Sequence, residues 1–409
     1  MEPRIKICVV GSGSAAAAFI LQALCFCKDG APFIIDCIHN PKISILTVGE
    51  SCSYIITKNI RTSLLSGANI NSIIGEFDGR TRLGTIQTWE NDLGHKFITN
   101  YMPNENKAMH INSEKFSKFV LKKANELYEG IFTEQHKNVL DIQQNGKCAT
   151  VFCEDDNLEY DYVVDCRGTP TTEEFNNDDY AYTDFETVNS VMIYPEFKSY
   201  DEHYTSAKFH KNGWMFGIPL RHRKAFGYLY NNQITSKDEA LDHFKLLKPE
   251  LEEEKLRYFN WKQYYRKKAM DGRILYMGNK LYFFEPIMGL PLHYYTLVSQ
   301  GFLNHLYDYF KSSCDIENFV NSLHTADISK IQDVVAFNYV GENNMKSKFW
   351  LETKQNGIKR LRNSIRFKEW ADCVIENDFV KPYFPHNYEI IIQYLDGYKI
   401  DLNKVMGYK

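Results

Sequence analysis

An apolar run that stops at a glycine-rich turn and resumes as an alanine-rich helix constrains this chain more than any other stretch. Ile5-Lys6-Ile7-Cys8-Val9-Val10 reads as a strand, Gly11-Ser12-Gly13-Ser14-Ala15-Ala16 follows, and Ala17 to Leu24 continues as a helix. That order opens a βαβ unit of the kind that cradles a dinucleotide. Gly11 permits the tight turn, Gly13 lets a pyrophosphate approach the backbone, and Ala16 lets the helix lie close to the strand. Ser14 and Ala15 open the helix, whose N–H groups face the phosphates. The plain alternative is an alanine-rich helix packed on a strand.

The chain has 409 residues, enough for two or three domains, and 44% hydrophobic content places it among globular proteins. A net charge of -4 without a long basic run gives no electrostatic reason to expect nucleic acid. The ten cysteines are scattered, with Cys25-x-Cys27 the closest pair, and neither Cys-x-x-Cys nor a zinc-type Cys/His cluster occurs. No metal is therefore expected, and the pattern suits a reducing compartment. No signal-peptide pattern opens the chain, and the apolar run Ala15 to Cys27 falls short of the ~20 residues that cross a bilayer. The expected location is the cytoplasm, with no membrane partner.

After the first helix, Pro32-Phe33-Ile34-Ile35 reads as the second strand and ends at Asp36, 25 residues beyond Gly11. An acidic residue there commonly holds a ribose. The competing strand, Ile43 to Val48, puts Thr47 at that place and leaves the ribose without a carboxylate. Apolar residues at Phe116, Phe119, Val120 and Ala124 predict a helix over 113–126. Strands follow at 148–153 and 160–166, the second running into Asp165-Cys166-Arg167-Gly168. Further strands, Val191 to Tyr194 and Phe226 to Tyr230, suggest an inserted sheet, and from Leu292 onward the pattern is mostly helical, with one helix expected from Leu292 to Phe310.

Three segments behind the glycines carry a resemblance: Gly49-Glu50-Ser51, Gly213-Trp214-Met215-Phe216-Gly217-Ile218-Pro219, and Gly278 through Glu285-Pro286. In that order they resemble the flavin-dependent tryptophan halogenases, which carry Gly-Glu-Ala, Trp-x-Trp-x-Ile-Pro and a glycine-rich segment ending in Glu-Pro-Leu-Glu-Ser. His110-Ile111-Asn112, Asp165-x-x-Gly168 and Phe349-Trp350 are similar to further landmarks, so the resemblance spans about 340 residues. It implies an α/β fold with a Rossmann-like FAD-binding domain (1–180 and 265–312), an inserted sheet and substrate region (181–264) and a helical C-terminal region (313–409). It also implies that FAD rests on Gly11, Gly13, Ser14, Ala15, Ala16, Asp36, Gly49, Glu50, Ser51, Gly168, Gly278, Pro286, Gly289 and Leu290. A separate flavin reductase is implied, in keeping with the absence of a second Gly-x-Gly-x-x-Gly for NAD(P)H.

The departures from the family concern its chemistry. The essential lysine that captures hypohalous acid falls on Thr81 or on Arg82, depending on the anchor, and no lysine occurs between Lys58 and Lys96. Arginine donates hydrogen bonds but is a poor nucleophile. The alternative for Arg82 is a surface charge. Met288 stands where the family has its second carboxylate, and Leu290-Pro291 replaces the Thr-Gly that holds the halide. Proline has no N–H to offer.

What remains suits FAD. Pro291 fits the first turn of the following helix, whose positive end favours an anionic flavin edge. Trp214 and Phe216 stand where the family has two tryptophans, and with Tyr294 they are the candidate substrate residues, the alternative for each being core packing. His293 is the nearest candidate proton donor or acceptor and otherwise a packed histidine, while His222 is left undecided. The segment between Trp89 and His110 is short for enclosing free tryptophan, which favours another aromatic or a substrate presented by a carrier. The expected activity is an FAD-dependent oxidation, with oxygen transfer ahead of standard halogenation. An atypical halogenase and a non-catalytic FAD-binding protein are the alternatives.

Overall fold

The computed structural model describes residues 4–43, 49–65, 69–101, 107–309, 315–377, 382–383 and 388–408. Its first layer is a six-stranded sheet in the order Met270–Asp271, Ile274–Tyr276, Tyr162–Asp165, Ile5–Val10, Phe33–His39 and Phe132–His136. All neighbours are parallel except the edge pair 270–271 and 274–276. Strands covered on both faces need apolar side chains on both, and Ile7, Cys8, Val9 and Val10 are all buried.

On one face lies the helix Ser14–Lys28, packed between the sheet and the helices Ser113–Leu127 and Pro291–Tyr309. Its alanines at 15 to 18 are what such close packing admits. On the other face a three-stranded sheet, Val139–Gln144, Ala149–Cys153 and Asn157–Tyr160, covers Cys8, Val10, Ile38 and Val163. The run expected as one strand over 160–166 is thus two, broken at Asp161, whose carboxylate accepts from the Lys6 N–H at 2.8 Å. The chain changes sheets at that residue.

Strands 162–165 and 274–276 are neighbours, so everything between them is an excursion from one edge of the sheet. Five of its strands join a seven-stranded sheet in the order Arg257–Asn260, Ser190–Glu196, Lys224–Tyr230, Gly213–Pro219, Tyr204–His210, Gly84–Trp89 and Asp92–Asn100. Two of its strands come from upstream of the excursion, which threads this lobe through the first hundred residues. A small sheet of Gly49–Cys52, Ala108–Asn112 and Arg80–Arg82 bridges the two large ones. The residues after 315 form helices Ile316–Phe337, Lys348–Asn363, Ile365–Asn377, Tyr388–Gly397 and Leu402–Met406. Trp350 pins them to the large sheet by donating to the His210 carbonyl at 2.8 Å. No helix of the described residues is long and apolar enough to cross a membrane.

Candidate functional site

The glycine turn comes first, because the strand before it and the helix after it fix its shape. Gly11 has φ +114°, and a Cβ there would stand 2.9 Å from the Cys166 carbonyl oxygen, so only glycine fits. A Cβ on Gly13 would meet nothing within 4 Å. Open space above an uncapped helix N-terminus is what a pyrophosphate requires. The first helical bond joins Ala17 N–H to the Gly13 carbonyl at 3.0 Å, leaving the N–H groups of Ser14, Ala15 and Ala16 ahead of it without a side-chain cap.

From that turn a line of close contacts leads across the site. Ser14 Oγ donates to Glu50 Oε1 at 2.7 Å, and Ser113 donates to the same carboxyl. Burial raises the Glu50 carboxyl above the usual carboxylate range, and these hydroxyls partly offset the effect. A Cβ on Gly278 would lie 3.1 Å from the Ala15 Cβ, which places that segment against the helix start. Strand 49–52 carries Ser51 to the loop Pro286–Leu290, where a Cβ on Gly289 would lie 3.4 Å from the Ser51 Cβ and 4.0 Å from Arg82 Nη1. The loop turns through Gly289 N–H to the Pro286 carbonyl at 3.0 Å, and Gly289 has φ +61°. Gly168 follows strand 162–165, with its N–H bonded to the Cys166 carbonyl.

Gly11, Gly13, Ser14, Ala15, Gly49, Glu50, Ser51, Gly278, Pro286, Gly289 and Arg82 are therefore neighbours along one path. Asp36 is not on it. The second strand continues past Asp36 to His39, and the Asp36 carboxylate is taken up by Tyr160 O–H at 2.8 Å and Gln135 at 3.2 Å on the face beneath the three-stranded sheet. The end of that strand is His39, whose Nε2 meets Glu134 Oε1 at 2.8 Å, with His136 at 3.3 Å from the same oxygen. Sequence reading missed this group because its members come from two strands. Residues 44–48 of the competing strand, Thr47 among them, lie outside the described residues, as does Phe310.

Arg82 is not a surface charge: its side chain is buried beneath Tyr101, whose ring centre is 4.8 Å from the guanidinium carbon. Thr81 is the neighbouring strand residue, with its carbonyl bonded to His203. His293 sits in the first turn of helix Pro291–Tyr309, and burial pushes its imidazole down to about 4, so it is neutral near pH 7. Trp214 and Phe216 are both buried on the large sheet. The Trp214 indole faces the Glu285 carboxyl, which accepts from Tyr339 O–H at 2.8 and 3.0 Å and from Thr187. Burial raises Glu285 to about 8 against these hydrogen bonds. Tyr294 is fully buried and donates to His324 Nδ1 at 2.5 Å, so its hydroxyl serves the contact between two helices. A cleft opens elsewhere, beside Trp89, lined by His95, Glu342, Asn343 and Lys399.

The open, uncapped turn and the path from Ser14 to Gly289 fit the pyrophosphate and ring of FAD. The tryptophan halogenase family model matches residues 92–374. The fold is similar to that of a tryptophan halogenase from Shewanella frigidimarina NCIMB 400, at TM-score 0.81 and 15% identity over 98% of this chain and 90% of that one. It is also similar to a flavin-dependent halogenase from Xanthomonas campestris, at TM-score 0.80 and 15% identity over 98% and 90% of the two chains. A third, from Brevundimonas sp. BAL3, gives TM-score 0.77 and 14% identity over 99% of this chain and 94% of that one. No curated protein sequence matches the chain. With its Glu-Pro loop and more than half of its length inside that match, the chain belongs to the tryptophan halogenase family of flavin-dependent enzymes, whose cofactor is FAD.

Proposed function

We propose that the protein is an FAD-dependent oxidative enzyme that transfers oxygen to an electron-rich aromatic substrate and does not carry out the family's standard halogenation. When bound, reduced FAD supplies the two electrons that let one atom of O2 enter the substrate while the other leaves as water. The observation that carries the reading is Pro291. It is the first residue of the helix behind the Glu-Pro loop, beside the buried Leu290, so one of the two backbone N–H groups at the family's halide position is lost, while the FAD turn is kept.

The chain's own residues divide the work. Gly11 to Ala16 and Glu50 hold the cofactor, with Gly49, Ser51, Gly168, Gly278, Pro286, Gly289 and Leu290 around it. The helix beginning at Pro291 turns its positive end toward the flavin's anionic edge. Arg82 supplies charge where the family has lysine, and His293, neutral near pH 7, is the candidate for moving a proton. Trp214 and Phe216 wall the site. We place the FAD-binding part at 1–180 and 265–312, with strands 84–100 lent to the intervening sheet. A separate reductase supplies the electrons, and the substrate is an aromatic small molecule or one presented by a carrier. The buried cysteines Cys8, Cys25, Cys37, Cys52 and Cys153 are free thiols, which supports a cytoplasmic setting.

One observation favours the atypical halogenase as a second reading: Arg82 is a buried cation with no carboxylate of its own among the described residues. The two are separated by supplying FAD, a flavin reductase, isotopically heavy oxygen gas and bromide to the full chain with a panel of phenols and indoles. A product carrying heavy oxygen is expected. Paired bromine isotopes in the product establish halogenation instead, and no product with no substrate-stimulated oxygen uptake overturns both.

A further inference from the structure

The edge of the parallel sheet gathers a second set of polar side chains, outside the path from Ser14 to Gly289. His39 ends strand Phe33–His39, His136 ends strand Phe132–His136, and the two are register partners in adjacent parallel strands. Side chains alternate along a strand, so Glu134, two residues before His136, shares the face of both histidines. His39 Nε2 and His136 Nε2 lie 2.8 and 3.3 Å from the same oxygen, Glu134 Oε1. The other oxygen, Oε2, accepts from Asn125 Nδ2 at 2.7 Å, a residue of the helix Ser113–Leu127.

Two imidazoles and a carboxylate thus turn their ligating atoms toward one spot, and these three atoms all lie within 4.8 Å of one another. Ligands of a tetrahedral zinc ion, with bonds of about 2.0–2.2 Å, stand about 3.3–3.6 Å apart. The pairs at 2.8 and 3.3 Å are close to that spacing. The His136 side chain is 58% exposed, so its ring has room to supply the remaining adjustment. His39 is held more tightly at 11% exposure, and its Nδ1 is buried without a partner, so the polar contact of this ring runs through Nε2. Asn125 fixes the carboxylate from behind, as partners of metal ligands do.

Imidazole nitrogens suit zinc and its transition-metal neighbours, whereas calcium and magnesium take oxygen ligands. We propose that His39, Glu134 and His136 bind one divalent transition-metal ion, with zinc the best match and water completing its shell on the exposed side of His136. The ion staples the edge strand 132–136 to its inner neighbour 33–39. Because His39 and Glu134 are 95 residues apart in the chain, the ligand set exists only in the folded sheet, and binding there stabilises the folded state by mass action. The inference needs only the protein, not the reaction proposed above, so its failure leaves that reaction to its own test.

The experiment titrates the full chain, freed of metal by a chelator, with zinc chloride, and follows calorimetric heat and the thermal unfolding midpoint. Wild type, His136→Ala and Glu134→Gln are compared, with His222→Ala as a control for an exposed histidine elsewhere. One zinc ion per chain and a rising midpoint are expected in wild type and in His222→Ala. Affinity at least about tenfold weaker is expected in His136→Ala and in Glu134→Gln. Wild-type crystals soaked in zinc give an independent reading if a variant fails to fold: an anomalous peak about 2.0–2.2 Å from both Nε2 atoms and a Glu134 oxygen is expected. Absence of saturable binding by wild type, undiminished binding in His136→Ala and Glu134→Gln, or zinc peaks elsewhere with none among these three side chains overturns the proposal.

Discussion

The hydroxyl of Ser14 donates to Glu50 Oε1 at 2.7 Å, tying the first turn of the first helix to the strand that borders the Glu-Pro loop. This bond fixes the glycine turn relative to the rest of the site, and it makes the turn testable residue by residue.

Gly11→Ala is expected to lose about 1–3 kcal/mol of stability, because alanine is strained at φ +114° and its Cβ meets the Cys166 carbonyl oxygen. Gly13→Ala has open space for its Cβ and costs under about 1 kcal/mol. Its methyl group nevertheless occupies the approach to the helix N-terminus, so the two substitutions separate folding from cofactor binding. Thermal unfolding and the visible absorbance retained after gel filtration measure the two effects. Wild-type FAD retention in Gly13→Val speaks against the cradle.

Glu285 makes the protein lose stability as pH rises, the reverse of an ordinary paired carboxylate. Its folded value of about 8 lies above the ordinary 4.5, so the folded state keeps a proton that the unfolded chain has lost. Stability therefore falls as pH rises between those two values and levels off above them. Glu285→Gln keeps an acceptor for Tyr339 and removes the titration. Denaturation midpoints across that window should be markedly flatter in the variant, and an equal slope in both proteins rejects the assignment.

Buried histidines act in the opposite direction. His293 and His324 are pushed down by burial to about 4 from an ordinary 6.5, and His110 and His210 are also lowered well below it. Below 6.5 the unfolded chain gains protons that the folded state refuses, so stability is lost as pH falls through that range. A tenfold difference in proton affinity between the folded and unfolded states corresponds to about 1.4 kcal/mol. Urea titrations in mildly acidic buffers should show the loss. His293 also adds no limb near neutrality to a pH–rate profile.

Tyr294→Phe is expected to cost about 1–3 kcal/mol, because His324 Nδ1 loses its partner in a closed interior. His324 Nε2 still meets the Arg266 carbonyl at 2.7 Å, so the helix contact survives in weakened form. FAD affinity should be unchanged. A large loss of cofactor or substrate binding at constant stability returns Tyr294 to the site.

The sequence by itself determined the strand, turn and helix at Ile5 to Leu24, the helix at 113–126, the helical C-terminal part and the order of the family segments. These are signals carried by consecutive residues, through backbone freedom at glycine and the period of apolar positions. Tertiary structure alone decided the surroundings of individual side chains. Asp36 was within reach of the ribose by spacing, yet Tyr160, from another sheet, holds its carboxylate. Arg82 could not be told from a surface charge until Thr85, Tyr101 and Gly289 closed over it. Glu285 was one letter of a motif until Tyr339 and Thr187 converged on it from other elements. A side chain's charge state and partners depend on what packs against it, and those atoms come from distant segments that share no local pattern.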